Sequence, residues 1–90
     1  MFEIDAIEII GLIAAVLTTA AFVPQVYKTW KTKDVKAISL TMFIAMFVGV
    51  ILWLIYGIYK NSLSMLVANS VTASLVLVII VLKIKYNRRN

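Results

Sequence analysis

Charged residues cut the chain into three long uncharged stretches. Residues 9–27, 37–59 and 61–82 carry no Asp, Glu, Lys or Arg, in runs of 19, 23 and 22 residues. A helix needs roughly 20 apolar residues to cross a hydrocarbon core of about 30 Å, and each run is of that order. The pattern predicts three membrane-spanning helices, over about 7–29, 38–59 and 63–85, in a single domain covering 1–90. Strands are excluded, because three strands cannot close a barrel and an open sheet edge is not tolerated in lipid. The fold class expected is all-α integral membrane. The first run could pass for a signal peptide, but its N-terminal flank is Glu3, Asp5 and Glu8. A signal peptide requires positive charge there, so the run is expected to remain as a span.

Composition supports the same environment. The 90 residues are 63% hydrophobic and 14% charged. A water-soluble domain this small buries only about 60% of its extended-chain surface and could not hide so much apolar area. The net charge of +5 is not spread as in a nucleic-acid binder. Lys28, Lys31, Lys33 and Lys36 lie between the first two spans, and Lys83, Lys85, Arg88 and Arg89 follow the third. Only Lys60 lies between the second and third spans. With three spans, the first connection and the C-terminus share a side, and lysine and arginine collect in the cytoplasm. The expected topology is N-terminus outside, C-terminus cytoplasmic. Nucleic acid is not an expected partner.

The spans contain small and polar residues that change the picture. Gly11, Ala14, Ala15, Thr18, Thr19, Ala20 and Ala21 mark the first, Ala45 and Gly49 the second, and Asn69, Ser70, Thr72, Ala73 and Ser74 the third. Small residues let helix backbones approach closely in lipid. Taken singly, each hydroxyl is expected to bond back to a carbonyl of its own helix. Three helices leave little room for a solute along their axis. If the chain passes a solute, a symmetric homodimer of six helices is the simplest enclosure.

Five positions carry candidate function. Pro24, the only proline, removes one hydrogen bond from the first helix about 10 Å before Lys31, and Gln25 follows it. Composition leaves a hinge and a merely tolerated proline equally open. Asn69 must find a partner for its amide. Trp53 and Asn69 stand eight residues before and after Asn61, about 12 Å from the outer ends of consecutive antiparallel helices. An indole face beside a carboxamide suits a sugar. Equally, Trp53 could face lipid and Asn69 pin a helix contact. Tyr56 lies on the face of Trp53, nearer the outer mouth. Phe22, Met42 and Met46 fall in the cytoplasmic half, more as packing residues than as a constriction, and Trp30 and Tyr59 suit interfacial belts.

Absences narrow the chemistry. The chain has no cysteine and no histidine, and no Asp, Glu, Lys or Arg inside the spans. No phosphate-binding loop, catalytic triad or metal cluster can be assembled, so no enzyme activity, cofactor or metal is expected. An ion- or proton-coupled carrier, or a small multidrug exporter, commonly uses a membrane-embedded ionisable group. Passage of a neutral solute without coupling fits better. A membrane interaction subunit or trafficking adaptor that moves nothing is the alternative; a holin-like pore is a third.

Three segments together resemble the PQ-loop superfamily. They are Phe22-Val23-Pro24-Gln25-Val26-Tyr27-Lys28-Thr29, the basic loop Lys31-Thr32-Lys33-Asp34, and Ile38-Ser39-Leu40-Thr41-Met42-Phe43. With Leu52 through Trp53 and Tyr56 to Gly57, and with Asn69, the whole chain is similar to bacterial SemiSWEET sugar transporters. The resemblance implies a parallel homodimer of three-helix bundles in 1-3-2 order, in the bacterial cell membrane. It implies passive alternating access for a mono- or disaccharide, with sugar, lipid and a second copy as partners. It assigns substrate binding to Trp53 and Asn69, the hinge to Pro24 and Gln25, and the outer gate to Tyr56. The inner gate falls on Phe22, Met42, Phe43 and Met46. Some relatives add a charged pair to the outer gate; no acidic residue stands near Tyr56 in this sequence.

Overall fold

The computed structural model describes residues 4–87. Met1, Phe2 and Glu3 and the tail residues Arg88, Arg89 and Asn90 lie outside the described residues, so three of the charges used above for topology and for the signal-peptide argument are not placed. The described residues form three helices: α1 (Ala6–Thr32), α2 (Leu40–Tyr59) and α3 (Leu63–Tyr86). All three are long and apolar enough to cross a membrane.

Side-chain caps set the helix ends. Asp5 accepts from the Glu8 N–H at 2.8 Å and starts α1. Ser39 accepts from Met42 N–H and starts α2, and Ser62 accepts from Met65 N–H and starts α3. Each cap satisfies an N–H that the first helical turn leaves without a carbonyl. α1 runs on through Thr29 to Thr32, whose hydroxyls bond back to the carbonyls of Gln25 and Lys28. It ends where Lys33 turns left-handed (φ 59°), its N–H donating to the Thr29 carbonyl at 2.8 Å. α2 ends in a Schellman turn. Asn61 adopts φ 54°, Ser62 N–H donates to the Gly57 carbonyl and Asn61 N–H to that of Ile58. Asparagine tolerates this left-handed conformation better than most side chains, so three residues suffice to reverse the chain.

α3 packs against both other helices, while α1 and α2 do not touch among the described residues. The bundle therefore has the 1-3-2 order. The buried residues of α3 explain its central place. Ala73, Val76, Ile79 and Leu82 are all buried and three positions apart. At 3.6 residues per turn, each step of three rotates back by about 60°, so the stripe sweeps roughly half the helix circumference and can serve two neighbours. α1 contributes Ala15 and Val26 to the core, and α2 Val50 and Gly57. Gly57 is needed for the close α2–α3 approach, since a Cβ there would stand 3.2 Å from the Cβ of Met65.

Both ends of α3 are tied to distant parts of the chain. At the end that holds the α2–α3 turn, the Glu8 carboxylate accepts from the Ser64 backbone N–H at 2.6 Å and from the Ser62 hydroxyl at 2.9 Å. It sits at the positive end of the α3 dipole. At the other end, Lys83 Nζ donates to the carbonyl of Val35 at 2.9 Å. Val35, set in the most charged segment of the chain, is fully buried and closes that end of the core.

The rest of the surface is apolar. Ile7, Val16, Leu17, Leu52, Ile58 and Ile84 are all more than 60% exposed. The long axis of 47 Å matches the about 40–45 Å of a bilayer with its headgroups. Thr18 and Ser74, like Thr29 and Thr32, bond back to their own helices. Among the described residues no buried side-chain nitrogen or oxygen lacks a partner, so the packed interior carries no orphaned polar side chain there.

Candidate functional site

One face of α2 carries four of the nine candidate residues. Met42, Met46, Gly49, Trp53 and Tyr56 follow one another at spacings of four, three, four and three. That alternation holds them in one stripe along a helix. The four side chains of the stripe are 56%, 38%, 55% and 48% exposed in the single chain. A Cβ added at Gly49 would meet nothing within 4 Å. The stripe thus runs along most of the span with about half of its side-chain surface uncovered in the single chain.

Trp53 lies near the middle of this stripe. Its ring meets Tyr56 edge-on, with centroids 5.6 Å apart and an interplanar angle of 88°. This is the geometry favoured by the opposite charge of ring edge and ring face. Lys60 Nζ stands 5.7 Å from the Tyr56 ring centroid, within cation–π range. Indole, phenol and ammonium thus climb one edge of the bundle toward the α2–α3 turn. A hollow of about 340 Å³ opens beside them, lined by Gly49, Leu52, Trp53 and Tyr56. Small-molecule sites are clefts of roughly 300–1,000 Å³, so one chain supplies a wall of about that scale. The missing side chain of Gly49 keeps it open. Gly49 entered the sequence reading only as a small packing residue. No property of a lone glycine distinguishes one that admits a helix from one that admits a ligand.

Asn69 does not line this hollow. It is half-buried on α3, one turn before Ala73, and its amide donates to the Met65 carbonyl at 2.9 Å. Its carbonyl oxygen is left to accept from elsewhere. The Gly57–Met65 contact fixes the register of α2 against α3. Trp53 stands four residues before Gly57 and Asn69 four after Met65, so each lies about 6 Å deeper than that contact. The two side chains occupy the same level on adjacent helices.

Pro24 lies inside a continuous α1 and is exposed, as is Gln25. Proline has no N–H for the Ala20 carbonyl, so α1 is one bond short at this turn. Phe22 and Phe43 are half-buried, while Met42 and Met46 project from α2. The structure therefore separates the four residues assigned to the inner gate. The methionines share the open stripe and the phenylalanines lie closer to the packed bundle.

Comparison with known proteins places this architecture. Residues 6–66 match the family model described as the PQ loop repeat. The chain is 43% identical over 77 residues to a protein of Leptospira biflexa named sugar transporter SemiSWEET, covering 86% of this chain and 91% of that one. It is 42% identical over 80 residues to the protein of the same name from Bradyrhizobium diazoefficiens, covering 89% and 93%. Its structure matches that of SemiSWEET in the inward-open conformation with a TM-score of 0.86 at 40% identity, over 96% of this chain and all of that one. A crystal structure of a bacterial homologue of SWEET transporters matches with a TM-score of 0.84, also at 40% identity, over 91% and 99%. With a family model matched over most of its length and relatives above 40% identity along nearly the whole chain, this three-helix protein belongs to the PQ-loop family, among the SemiSWEETs.

Proposed function

We propose that the chain is a sugar transporter that works as a parallel homodimer and moves a mono- or disaccharide passively by alternating access. The observation that carries this reading is the open α2 stripe, with Trp53 beside an unfilled hollow and Asn69 at the same level. A second copy related by a two-fold axis normal to the membrane would bring two such stripes face to face and turn each open wall into part of a cavity. The indole offers a flat apolar face to the C–H side of a pyranose, and the Asn69 amide exchanges hydrogen bonds with its hydroxyls. Uncoupled transport fits spans that hold no Asp, Glu, Lys, Arg or His between residues 9 and 27, 37 and 59, or 61 and 82.

In this mechanism Pro24 is the weak point about which the ends of α1 swing, with Gln25 beside it. Tyr56, steadied by Trp53 and Lys60, closes the outer mouth. Met42 and Met46, supported by Phe22 and Phe43, close the inner one. The outer junction at Glu8 and the inner tie at Lys83 keep each bundle a rigid body while the two bundles rock. The basic end faces the cytoplasm of the bacterial cell and the N-terminus faces out.

The test is uptake of a panel of radiolabelled mono- and disaccharides into proteoliposomes. The parent should equilibrate at least one sugar, and Trp53→Ala and Asn69→Ala should lower its uptake at least tenfold. Unchanged uptake by folded dimers of either variant rejects the pocket. Failure of the purified parent to move any sugar favours an adaptor without a solute. Ion currents across the same membranes would indicate a pore.

A further inference from the structure

At the end of the bundle that holds the α1–α2 connection and the last turns of α3, two hollows adjoin. The first, of about 370 Å³, is a trough along α3 lined by Leu77, Val78, Val81 and Leu82, with Trp30, Lys85 and Tyr86 at its end. The second, of about 520 Å³, is a cup lined by Tyr27, Trp30, Lys31, Lys33 and Tyr86. Trp30 and Tyr86 belong to both, so the trough leads into the cup. Among the described residues no acidic side chain lines either one.

Three lysines meet aromatic rings where the trough joins the cup. Lys33 Nζ and Lys85 Nζ stand 5.7 and 5.4 Å from the centroid of the same Tyr86 ring. Lys31 Nζ stands 5.8 Å from the ring of Tyr27. The ring faces attract each ammonium. An apolar trough by itself would accept any chain. A trough that ends among three lysines and two interfacial aromatic rings selects an amphiphile with an anionic head.

The position of the trough also fits lipid. Val78 is nine residues after Asn69, half a turn round α3 after whole turns are removed, so the two lie on opposite faces. On the reading that Asn69 faces the transport axis, on which this inference rests, Val78 and its neighbours face the bilayer. Leu77, Val78 and Val81 are 48%, 41% and 53% exposed, as residues covered by an acyl chain would be in a protein stripped of lipid.

We propose that this groove binds one anionic phospholipid of the adjoining leaflet, with an acyl chain along Leu77, Val78 and Val81 and its phosphate among Lys31, Lys33 and Lys85. Basic pockets between membrane helices hold anionic headgroups, and a lysine near the surface favours anionic over neutral lipid by about fivefold. The phospholipid braces α1 against α3 on the side away from the transport path.

The test uses the full chain in vesicles and reads Trp30 fluorescence in the Trp53→Phe background, where Trp30 is the only tryptophan. Phosphatidylglycerol with brominated chains, at low mole fraction in plain phosphatidylcholine, should quench Trp30 several-fold more than brominated phosphatidylcholine at the same fraction. Lys31→Gln, Lys33→Gln and Lys85→Gln should each reduce that preference, and the three together should bring it close to one; the single variants serve if the triple one does not fold. Inorganic phosphate in the buffer should leave it intact. Equal quenching by the two lipids overturns the proposal, and so does a preference that survives the lysine changes. A preference abolished by inorganic phosphate, or an equal one at Trp53 in the Trp30→Phe chain, overturns it too. Because the readout is quenching and not flux, a chain that moves no sugar can still pass or fail.

Discussion

Replacing Gly11 by alanine should loosen the end of the bundle where Glu8 meets the start of α3. A Cβ at this position would lie 2.5 Å from Ser64 Oγ and 2.7 Å from Ser64 Cβ. Ser64 cannot easily give way. It is buried, and its N–H is held by the Glu8 carboxylate one turn before Gly11. An added methyl in such a contact costs about 1–3 kcal/mol through displaced backbones. The 2.7 Å carbon–carbon approach puts this case at the upper end. Alanine regains about 1 kcal/mol over glycine in a helix interior, so a net loss of about 2 kcal/mol is expected. Unfolding in mixed micelles of rising sodium dodecyl sulfate content, followed by tryptophan fluorescence, measures it. The second-site behaviour is more discriminating. Gly11→Ala with Ser64→Ala should stay destabilised, because the Cβ remains. Gly11→Ala with Ser64→Gly should recover most of the loss relative to Ser64→Gly alone. A Gly11→Ala chain as stable as the parent, or full rescue by Ser64→Ala, would refute the close α1–α3 approach as the cause.

Pro24→Ala restores the N–H that α1 lacks and should slow sugar exchange across proteoliposomes more than it weakens sugar binding; equal exchange rates would remove the hinge. Lys83→Met deletes the donor to the Val35 carbonyl and should cost about 1–3 kcal/mol in the same unfolding assay, with faster amide exchange at Ile38, whose N–H shares that carbonyl at 3.1 Å. Glu8→Ala leaves the Ser64 N–H and the Ser62 hydroxyl without their acceptor and should lower stability and speed exchange at Ser64, whereas Glu8→Gln, which keeps an acceptor oxygen, should fall between it and the parent. Gly49→Leu fills open space beside Trp53 and should fold normally while lowering uptake of every sugar; undiminished uptake would remove the hollow from the path.

The number of spans was legible in the sequence because charge is too costly in hydrocarbon to be placed at will, so the uncharged runs alone mark three crossings. The starts of α2 and α3 rest on local side chains, since Ser39 and Ser62 each cap an N–H three residues on. The common level of Trp53 and Asn69 was legible as well, since helix rise is constant and the turn between them is short. Other features depended on residues far apart in the chain. Glu8 reads in sequence as part of an acidic flank, yet it caps a helix that begins 55 residues later. Lys83 reads as a membrane-edge anchor, yet it holds the carbonyl of Val35, a valine buried in the middle of a basic segment. Gly49 reads like Gly11 and Gly57, but those two admit a neighbouring helix and Gly49 faces open space. Local spacing governs what repeats along one helix. Which helix lies against which, and so which carboxylate meets which N–H and which glycine stays uncovered, is decided by how the three surfaces pack around α3.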